Sequence, residues 1–310
     1  MRPTPFTIAC DIALGGTFST LVRPAPLAEI VISQGAVPEW LDCEPGNRAF
    51  HVDGDTILMR FDNEHSFLIE GGERITHSNG PKTAEYITGP VFGALCYQRS
   101  MIPFHASAVV KDRKVHAFAG PQSAVKSSIP PSLAPEGWAF LTDDLLIVDP
   151  QIPQEMACYA VQRQTKPWSD PASHLAVTPQ GEVDRREGQV RRSAAIGEAL
   201  NEEAKPSGEK CDTLCSVLLV DARPEVSVGF EPIIGANAIR TLVKGLYLPH
   251  FATRIQSQAW LFRSLIALAQ TIPVERLKCP VTWEWSPENS VQISEHLASL
   301  EISALLEESE

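Results

Sequence analysis

The chain has 310 residues, of which 44% are hydrophobic and 21% are charged, and its formal net charge is −12. That composition is typical of a globular protein with a substantial apolar core, and the length suits one large domain or two ordinary ones. The negative charge and the lack of dense Lys/Arg runs argue against a nucleic-acid or anionic-membrane partner.

The sequence shows no pattern of a membrane span or a secretion signal. No apolar run approaches the roughly 20 residues of a transmembrane helix. Residues 1–14 lack a charged start followed by a sustained apolar run. The seven cysteines are scattered without zinc-site spacing, and we expect them to be reduced. These features together predict a cytoplasmic protein.

Short apolar runs separated by turn residues fill the first 90 residues. Because no helix-length connections separate them, we expect an antiparallel sheet in a β-rich N-terminal domain over residues 1–90. The predicted strands are 6–9, 28–32, 49–52, 56–61 and 66–69.

From residue 91 onward, strands alternate with loops and helices, which predicts an α/β domain over residues 91–310. The whole chain is therefore α/β, or α+β if its β-rich first domain is counted. Strands are expected at 115–119, 139–141, 145–148, 215–221 and 280–285. Helices are expected at 91–98, 193–202, 235–246, 255–271 and 290–306. One face of the helix over 255–271 collects Ala259, Phe262, Arg263, Ile266 and Ala269.

Gly120 follows an apolar strand, and Lys126 and Ser127 come six and seven residues later. This layout is that of a phosphate-binding loop, G-x-x-x-x-G-K-[ST]. In such a loop, backbone N–H groups surround the phosphates, the Lys reaches the β/γ oxygens, and the hydroxyl binds Mg²⁺. The alternative is an ordinary strand, turn and helix with an exposed Lys and no bound nucleotide.

The loop departs from that pattern at several positions. Val125 stands where the second Gly is expected, and a β-branched side chain there resists positive φ and crowds the phosphates. Ser123 stands where many such loops carry another Gly. Pro130 and Pro131 follow at once, and proline is poorly tolerated beyond the first turn of a helix. We therefore expect residues 127–137 to form a loop or a short displaced turn.

Asp143 and Asp144 end the next predicted strand, beside the loop. Alternation along an extended strand would point the two side chains in opposite directions. One could then bind Mg²⁺ or accept a hydroxyl proton while the other takes an internal partner. The alternative is a turn with two capping carboxylates. Ser107 is expected to be structural, since its side chain points opposite to its immediate strand neighbours.

Residues 97–109, with His105-Ala106-Ser107-Ala108-Val109 at their end, and the Asp-Asp pair in residues 141–144 together resemble the HPr kinase/phosphorylase superfamily. The chain is most similar to the HPr-kinase-like serine kinases of biosynthetic clusters, including those that phosphorylate lasso-peptide precursors. Residues 164–170 are similar to a Leu-Trp-Pro-Asp segment of that group. The resemblance is good over roughly residues 85–172 and loose elsewhere.

The resemblance implies ATP and Mg²⁺ as cofactors and phosphoryl transfer to a serine of a peptide or small protein. The implied catalytic residues are His105, Lys126, Asp143 and Asp144, and the implied metal ligands are Ser127 and Asp143. The implied nucleotide-binding residues are Gly120, Gln122, Ser123, Ala124, Val125, Lys126, Ser127 and Ser128. Lys166 and Trp168 would line the acceptor or nucleotide cleft. We also consider a homo-oligomer.

Two other interpretations stay open. The chain could be a pseudokinase or partner module that keeps the kinase fold without tight nucleotide binding. It could also catalyse a different nucleotide-dependent transfer with a remodelled loop. His250 and Arg254, just before a predicted helix, could contact substrate or belong to an ordinary loop.

Overall fold

The computed structural model describes residues 6–14, 21–22, 24, 28–39, 49–120, 125–151, 156–161, 212–224, 226–281 and 287–307. Four predictions fall outside these ranges: the helix over 193–202, the cleft residues Lys166 and Trp168, the ligands Gln122, Ser123 and Ala124, and most of the strand over 280–285.

Six strands form the first sheet, in the order β1-β2-β6-β5-β4-β3. They are β1 (Ile8–Cys10), β2 (Ile30–Gln34), β3 (Ala49–Asp53), β4 (Thr56–Arg60), β5 (Ser66–Glu70) and β6 (Arg74–His77). Strands β3 to β6 are antiparallel neighbours, but β2 runs parallel to both β1 and β6. The prediction of an antiparallel sheet is therefore wrong for this half. The connection over 11–29 is long enough to bring the chain back to the same end of the sheet, so that β2 can start parallel to β1.

A helical segment joins the two sheets. It consists of α1 (Thr83–Tyr86), a kinked π-type turn (Ile87–Val91) and α2 (Phe92–Gln98). The kink lies at Gly89, whose φ of −124° and ψ of −105° are not helical, directly before Pro90. Proline interrupts the ladder of backbone hydrogen bonds, which explains why the regular helix begins only at Phe92.

Eight strands form the second sheet, and seven of them follow the order β11-β10-β7-β8-β12-β14-β13, with β9 paired to β7. They are β7 (Ile102–Lys111), β8 (Lys114–Ala119), β9 (Ala139–Thr142), β10 (Leu145–Val148), β11 (Ala157–Val161), β12 (Asp212–Arg223), β13 (Gly229–Pro232) and β14 (Val274–Pro280). Strands β8, β12 and β14 are parallel, whereas β7 is antiparallel to β8 and β10. The fold is α/β with mixed sheets, which confirms the predicted class.

Five helices accompany the second sheet in the described part of the chain. They are α3 (Ile129–Leu133), α4 (Ala236–Gly245), α5 (Pro249–Ile255), α6 (Gln258–Thr271) and α7 (Pro287–Glu307). No helix in the described ranges is both long and apolar enough to cross a membrane.

The helix predicted over 255–271 is divided in two. The division falls at Ser257, whose Oγ caps α6 by accepting a 3.1 Å hydrogen bond from the backbone N–H of Trp260. The buried side of α6 carries Leu261, Leu265 and Leu268, while Phe262 is 55% exposed. The predicted face is therefore wrong, because the buried stripe follows these leucines, about one position earlier along the helix than the residues chosen from the sequence.

Apolar side chains form two clusters on opposite faces of the second sheet. The larger cluster runs continuously from Ile8 and Ile57 in the first sheet to Leu242 and Leu268 under α4 and α6. The smaller cluster packs α3 and α7 against the other face. The division of the chain into units 1–90 and 91–310 stays a prediction, because this core crosses the proposed boundary.

A buried polar network fastens α7 to the second sheet. His116 on β8 is fully buried; its Nδ1 lies 2.8 Å from Ser216 Oγ and its Nε2 lies 3.3 Å from Glu301 Oε1. Lys114 Nζ donates to the other oxygen of Glu301 at 3.0 Å. Trp138 packs edge-on against the His116 ring and donates its indole N–H to Ser294 Oγ at 2.9 Å. Burial lowers the pKa of His116, although Glu301 opposes the shift.

Acid should weaken the fold through His116. Because burial holds the folded-state pKa below the ordinary value of 6.5, the unfolded chain takes up this proton first as the pH falls. Stability should therefore decline from about pH 6.5 downward, by at most about 1.4 kcal/mol per pH unit. The pKa of Glu301 is lowered chiefly by its hydrogen bond with His116, so that carboxylate adds a further loss only in more acidic solution.

Urea unfolding at about pH 7.5 and pH 5 measures this effect. The variant His116→Gln keeps a polar side chain at the position but does not titrate, so its stability should change less between the two pH values. Equal losses in the wild type and the variant would contradict the assignment to His116.

Candidate functional site

The site lies where the chain leaves β8 and turns into a helical segment. Gly120 directly follows β8 and has a φ of 149°, which glycine adopts far more readily than other residues. The predicted ligands Gln122, Ser123 and Ala124 lie outside the described residues. The chain is described again from a 3₁₀ turn over Val125–Ser128. Strand β7 lies beside β8, and the bend between β9 and β10 lies beside β7.

Lys126 is buried within this turn, so the alternative of an ordinary strand–turn–helix with an exposed lysine is wrong. Its side chain is 4% exposed, and its Nζ donates a 2.7 Å hydrogen bond to the carbonyl oxygen of Gly120. Burial lowers the pKa of Lys126 to about 8, and the nearby carboxylate of Asp143 partly opposes that shift. The ammonium group therefore loses its proton more readily than an ordinary lysine does.

Asp143 connects the bend to both β7 and the turn. Its carboxylate accepts hydrogen bonds from the hydroxyls of Ser107 and Ser127. Burial raises the pKa of Asp143, while the two hydroxyls and the charge of His105 act against that rise. Ser107 points opposite to its immediate strand neighbours, as predicted, and it therefore shares one face of β7 with His105, two positions before it. Its hydrogen bond to Asp143 makes it part of the site, which the prediction of a structural role did not foresee.

Asp144 and His105 form the more open part of the site. His105 Nδ1 lies 3.6 Å from Asp144 Oδ1, and the two side chains are 31% and 23% exposed. Both aspartates thus contact the same face of β7, one through Ser107 and the other through His105. The predicted opposite orientation fails because the pair occupies a bend between two strands and is not part of an extended strand.

Val125 points away from this group of polar residues. Its side chain is 9% exposed and belongs to the smaller apolar cluster, together with Phe118, Ile129 and Trp138. Its φ is not positive. The prediction that Val125 replaces a phosphate-facing glycine is therefore wrong for the side chain, and only its backbone remains a candidate phosphate ligand.

The segment after the turn is helical but irregular. The five-residue α3 carries Pro130 and Pro131 in its first turn, and a 3₁₀ turn over Ala134–Glu136 follows it. A backbone N–H is not needed in the first turn of a helix, so the two prolines fit there without breaking hydrogen bonds. Of the two predicted forms, the loop is wrong, whereas the short displaced turn agrees with the structure: the α-helical part begins only at Ile129 and has five residues. Ser128 is buried at the start of α3.

The side chains at this site that could bind a metal ion offer oxygen atoms, which are hard ligands. Among the described residues, no cluster of three or more His, Cys, Asp or Glu side chains could hold a metal ion by itself. Ser127 and Asp143 nevertheless place a hydroxyl and a carboxylate side by side. Mg²⁺ commonly takes one or two protein oxygens and completes its shell with water and substrate phosphates. The predicted pair of metal ligands, Ser127 and Asp143, therefore fits an Mg²⁺ ion whose remaining ligands are water and the phosphates of a nucleotide.

Comparisons with known proteins add little to this geometry. No family model matches the chain, and no curated protein matches it. A solved HPr(Ser) kinase/phosphatase from Coxiella burnetii is 12% identical; the match covers 67% of this chain and 99% of that chain, with a TM-score of 0.29. A likeness this distant carries no argument about the activity of this chain.

Proposed function

We propose that the chain is an ATP-dependent phosphotransferase that phosphorylates a serine of a peptide or small protein. One observation carries the proposal: a lysine, a serine–aspartate pair and a histidine–aspartate pair meet at the turn after β8. Phosphoryl transfer requires mainly positioning and charge stabilisation, for which these residue types are suited. The sequence resemblance of residues 97–109 and 141–144 supports the same reaction class.

Lys126 would supply the positive charge for the phosphates. In the structure it donates to the Gly120 carbonyl, so it must exchange that contact for a phosphate oxygen when a nucleotide binds. A charge-assisted hydrogen bond to phosphate is stronger than one to a neutral carbonyl, which favours the exchange. Ser127 and Asp143 would hold Mg²⁺, which neutralises phosphate charge when bound.

Asp144 and His105 would handle the acceptor hydroxyl. Their side chains are partly exposed and lie close enough to influence each other's charge. Asp144 would orient the hydroxyl and accept its proton, and His105 would stabilise the charge on that carboxylate. Asp143, already bonded to two hydroxyls, is less free to accept a proton from outside.

Two observations favour a second candidate, a partner module that keeps the fold with little nucleotide affinity. Lys126 is occupied by the Gly120 carbonyl, and Val125 packs in the core where the loop pattern has glycine. The first keeps the ammonium group of Lys126 from a phosphate until that contact is broken, and the second means that the turn lacks the glycine of the phosphate-loop pattern. The two candidates differ in a measurable quantity, namely the affinity for Mg·ATP.

Calorimetric titration with Mg·ATP at several pH values tests the proposal. Only the protonated Lys126 should bind phosphate, and its free-state pKa is about 8. We expect the dissociation constant to be flat below that pH and to rise about tenfold per pH unit above it. Lys126→Arg should remove this rise because arginine stays protonated, while Lys126→Met should abolish binding. Absence of Mg·ATP binding to folded wild-type protein would favour the partner module.

A further inference from the structure

A cavity of about 420 Å³ lies between the first sheet and α5, outside the group of residues described above. Half of its lining residues carry aromatic rings, namely Phe50, Phe61, Tyr86, Tyr247, His250 and Phe251. Ligand sites in proteins are typically concave, apolar and about this size.

The aromatic walls are already fixed in place. Phe50 and Phe251 stack with ring centroids 4.1 Å apart, and Phe61 and Tyr86 stack at 4.2 Å. Because each ring is held by its partner, these side chains would lose little conformational entropy when a ligand binds in the cavity. Arg60 and Glu85 add charged groups to an otherwise apolar lining.

Tyr247 separates this cavity from the candidate site. Its ring lines the cavity, and its centroid lies 6.1 Å from that of His105. The backbone of Tyr247 is held from both sides: its N–H donates to Pro103 O and its C=O accepts from Tyr97 Oη, each at 2.8 Å. The ring also packs against Gly93, where an added Cβ would come within 2.7 Å of it. The cavity and the site are therefore neighbours across one rigid side chain.

We propose that this cavity binds an aromatic side chain of the acceptor polypeptide, close in sequence to the serine that is phosphorylated. The inference rests on the proposed function for the position of that serine. Aromatic rings suit aromatic walls through offset and edge-on contacts. An extended chain advances about 3.3 Å per residue, so a segment of roughly three to five residues can reach past Tyr247 to Asp144.

A polypeptide fits the site better than a free small molecule does. Strand β3, which contributes Phe50 to the cavity, is the end strand of its sheet and pairs within the described residues only with β4. The edge of a sheet offers backbone groups to an extended peptide, while pockets beside it select side chains. Arg254 donates to the Phe50 carbonyl at 3.4 Å, so part of this edge is already engaged.

The experiment uses fluorescein-labelled peptides that carry one serine and, three residues before it, either tryptophan or alanine in a glycine background. Binding is measured by fluorescence anisotropy without nucleotide. We expect the tryptophan peptide to bind at least tenfold more tightly than the alanine peptide. Ala49→Trp fills the cavity from β3 and should remove the difference. Asp53→Trp adds the same side chain to an exposed position on the same strand and should keep it.

Three results would overturn the inference: equal affinity for both peptides, equal loss of affinity in both variants, or equally tight binding of free N-acetyl-tryptophanamide. The last result would identify a small-molecule pocket. Failure of the proposed function gives a different outcome, since the wild type would then discriminate between the peptides without binding Mg·ATP. Thermal unfolding of both variants checks that each is folded before the affinities are compared.

Discussion

Replacing Asp143 by asparagine is expected to lower the rate of ATP turnover by a factor of roughly 10²–10⁴, the range that single catalytic groups contribute. Asparagine has nearly the same shape, but it cannot carry the negative charge that would hold Mg²⁺ beside Ser127. The change also takes away the carboxylate that partly sustains the charge on Lys126. Turnover is measured as ADP formation from Mg·ATP, with and without the tryptophan peptide.

The same replacement should leave the folded state at least as stable at neutral pH. Burial raises the pKa of Asp143, so the ionised carboxylate costs stability above its folded-state pKa, and this cost disappears as the pH falls through it. The neutral amide avoids the cost, and the Ser107 and Ser127 hydroxyls can still donate to its oxygen.

Asp149→Asn is the matched control for this experiment. Asp149 is also buried, and its carboxylate accepts a hydrogen bond from the backbone N–H of Gln151, away from the turn after β8. That variant should keep full turnover. Unchanged turnover in Asp143→Asn would refute the assignment of a metal-holding role to Asp143.

Replacing Val125 by glycine is expected to destabilise the fold by about 2–4 kcal/mol and not to improve nucleotide binding. Removing a buried aliphatic side chain leaves a cavity among Phe118, Ile129 and Trp138, and glycine adds backbone freedom to the unfolded chain. The sequence pattern alone suggests the opposite outcome, namely a restored phosphate loop. Urea unfolding and Mg·ATP titration of the same preparation measure both effects.

Val281→Gly is the control for the part of the stability loss that comes from the added backbone freedom of glycine. Val281 is 48% exposed, so its replacement should cost less than about 1 kcal/mol. If Val125→Gly were as stable as the wild type and bound Mg·ATP more tightly, the turn over Val125–Ser128 would have to be rebuilt around the nucleotide. The role of Val125 as a core residue would then be wrong.

Much of the candidate site could be predicted from local sequence. A strand that ends in Gly120, with Lys126 and Ser127 at phosphate-loop spacing, gave its position, and the structure brings both residues next to Asp143. The functional roles of these residues remain predictions. Ser107 was missed although a signal existed, because a period of two places it beside His105 on the same face of the strand.

Other features had no local signal. The parallel pairing of β2 with β1 and β6 depends on how distant segments meet, which short-range patterns do not encode. The contact of His116 with Glu301 joins residues far apart in the chain. Val125 was misjudged because the loop motif describes spacing but not which side chain turns into the core.

The packing of α7 against the turn has a consequence for how the protein is made. Ile293 and Leu297 on α7 share an apolar cluster with Val125 and Ile129. The apolar side of the turn that carries Lys126 is therefore not covered until α7 has packed against it. Residues 287–307 leave the ribosome long after the turn does. We therefore expect that a nascent chain with Lys126, Asp143 and His105 but without α7 holds the turn poorly, and that the site is completed only when synthesis has passed α7.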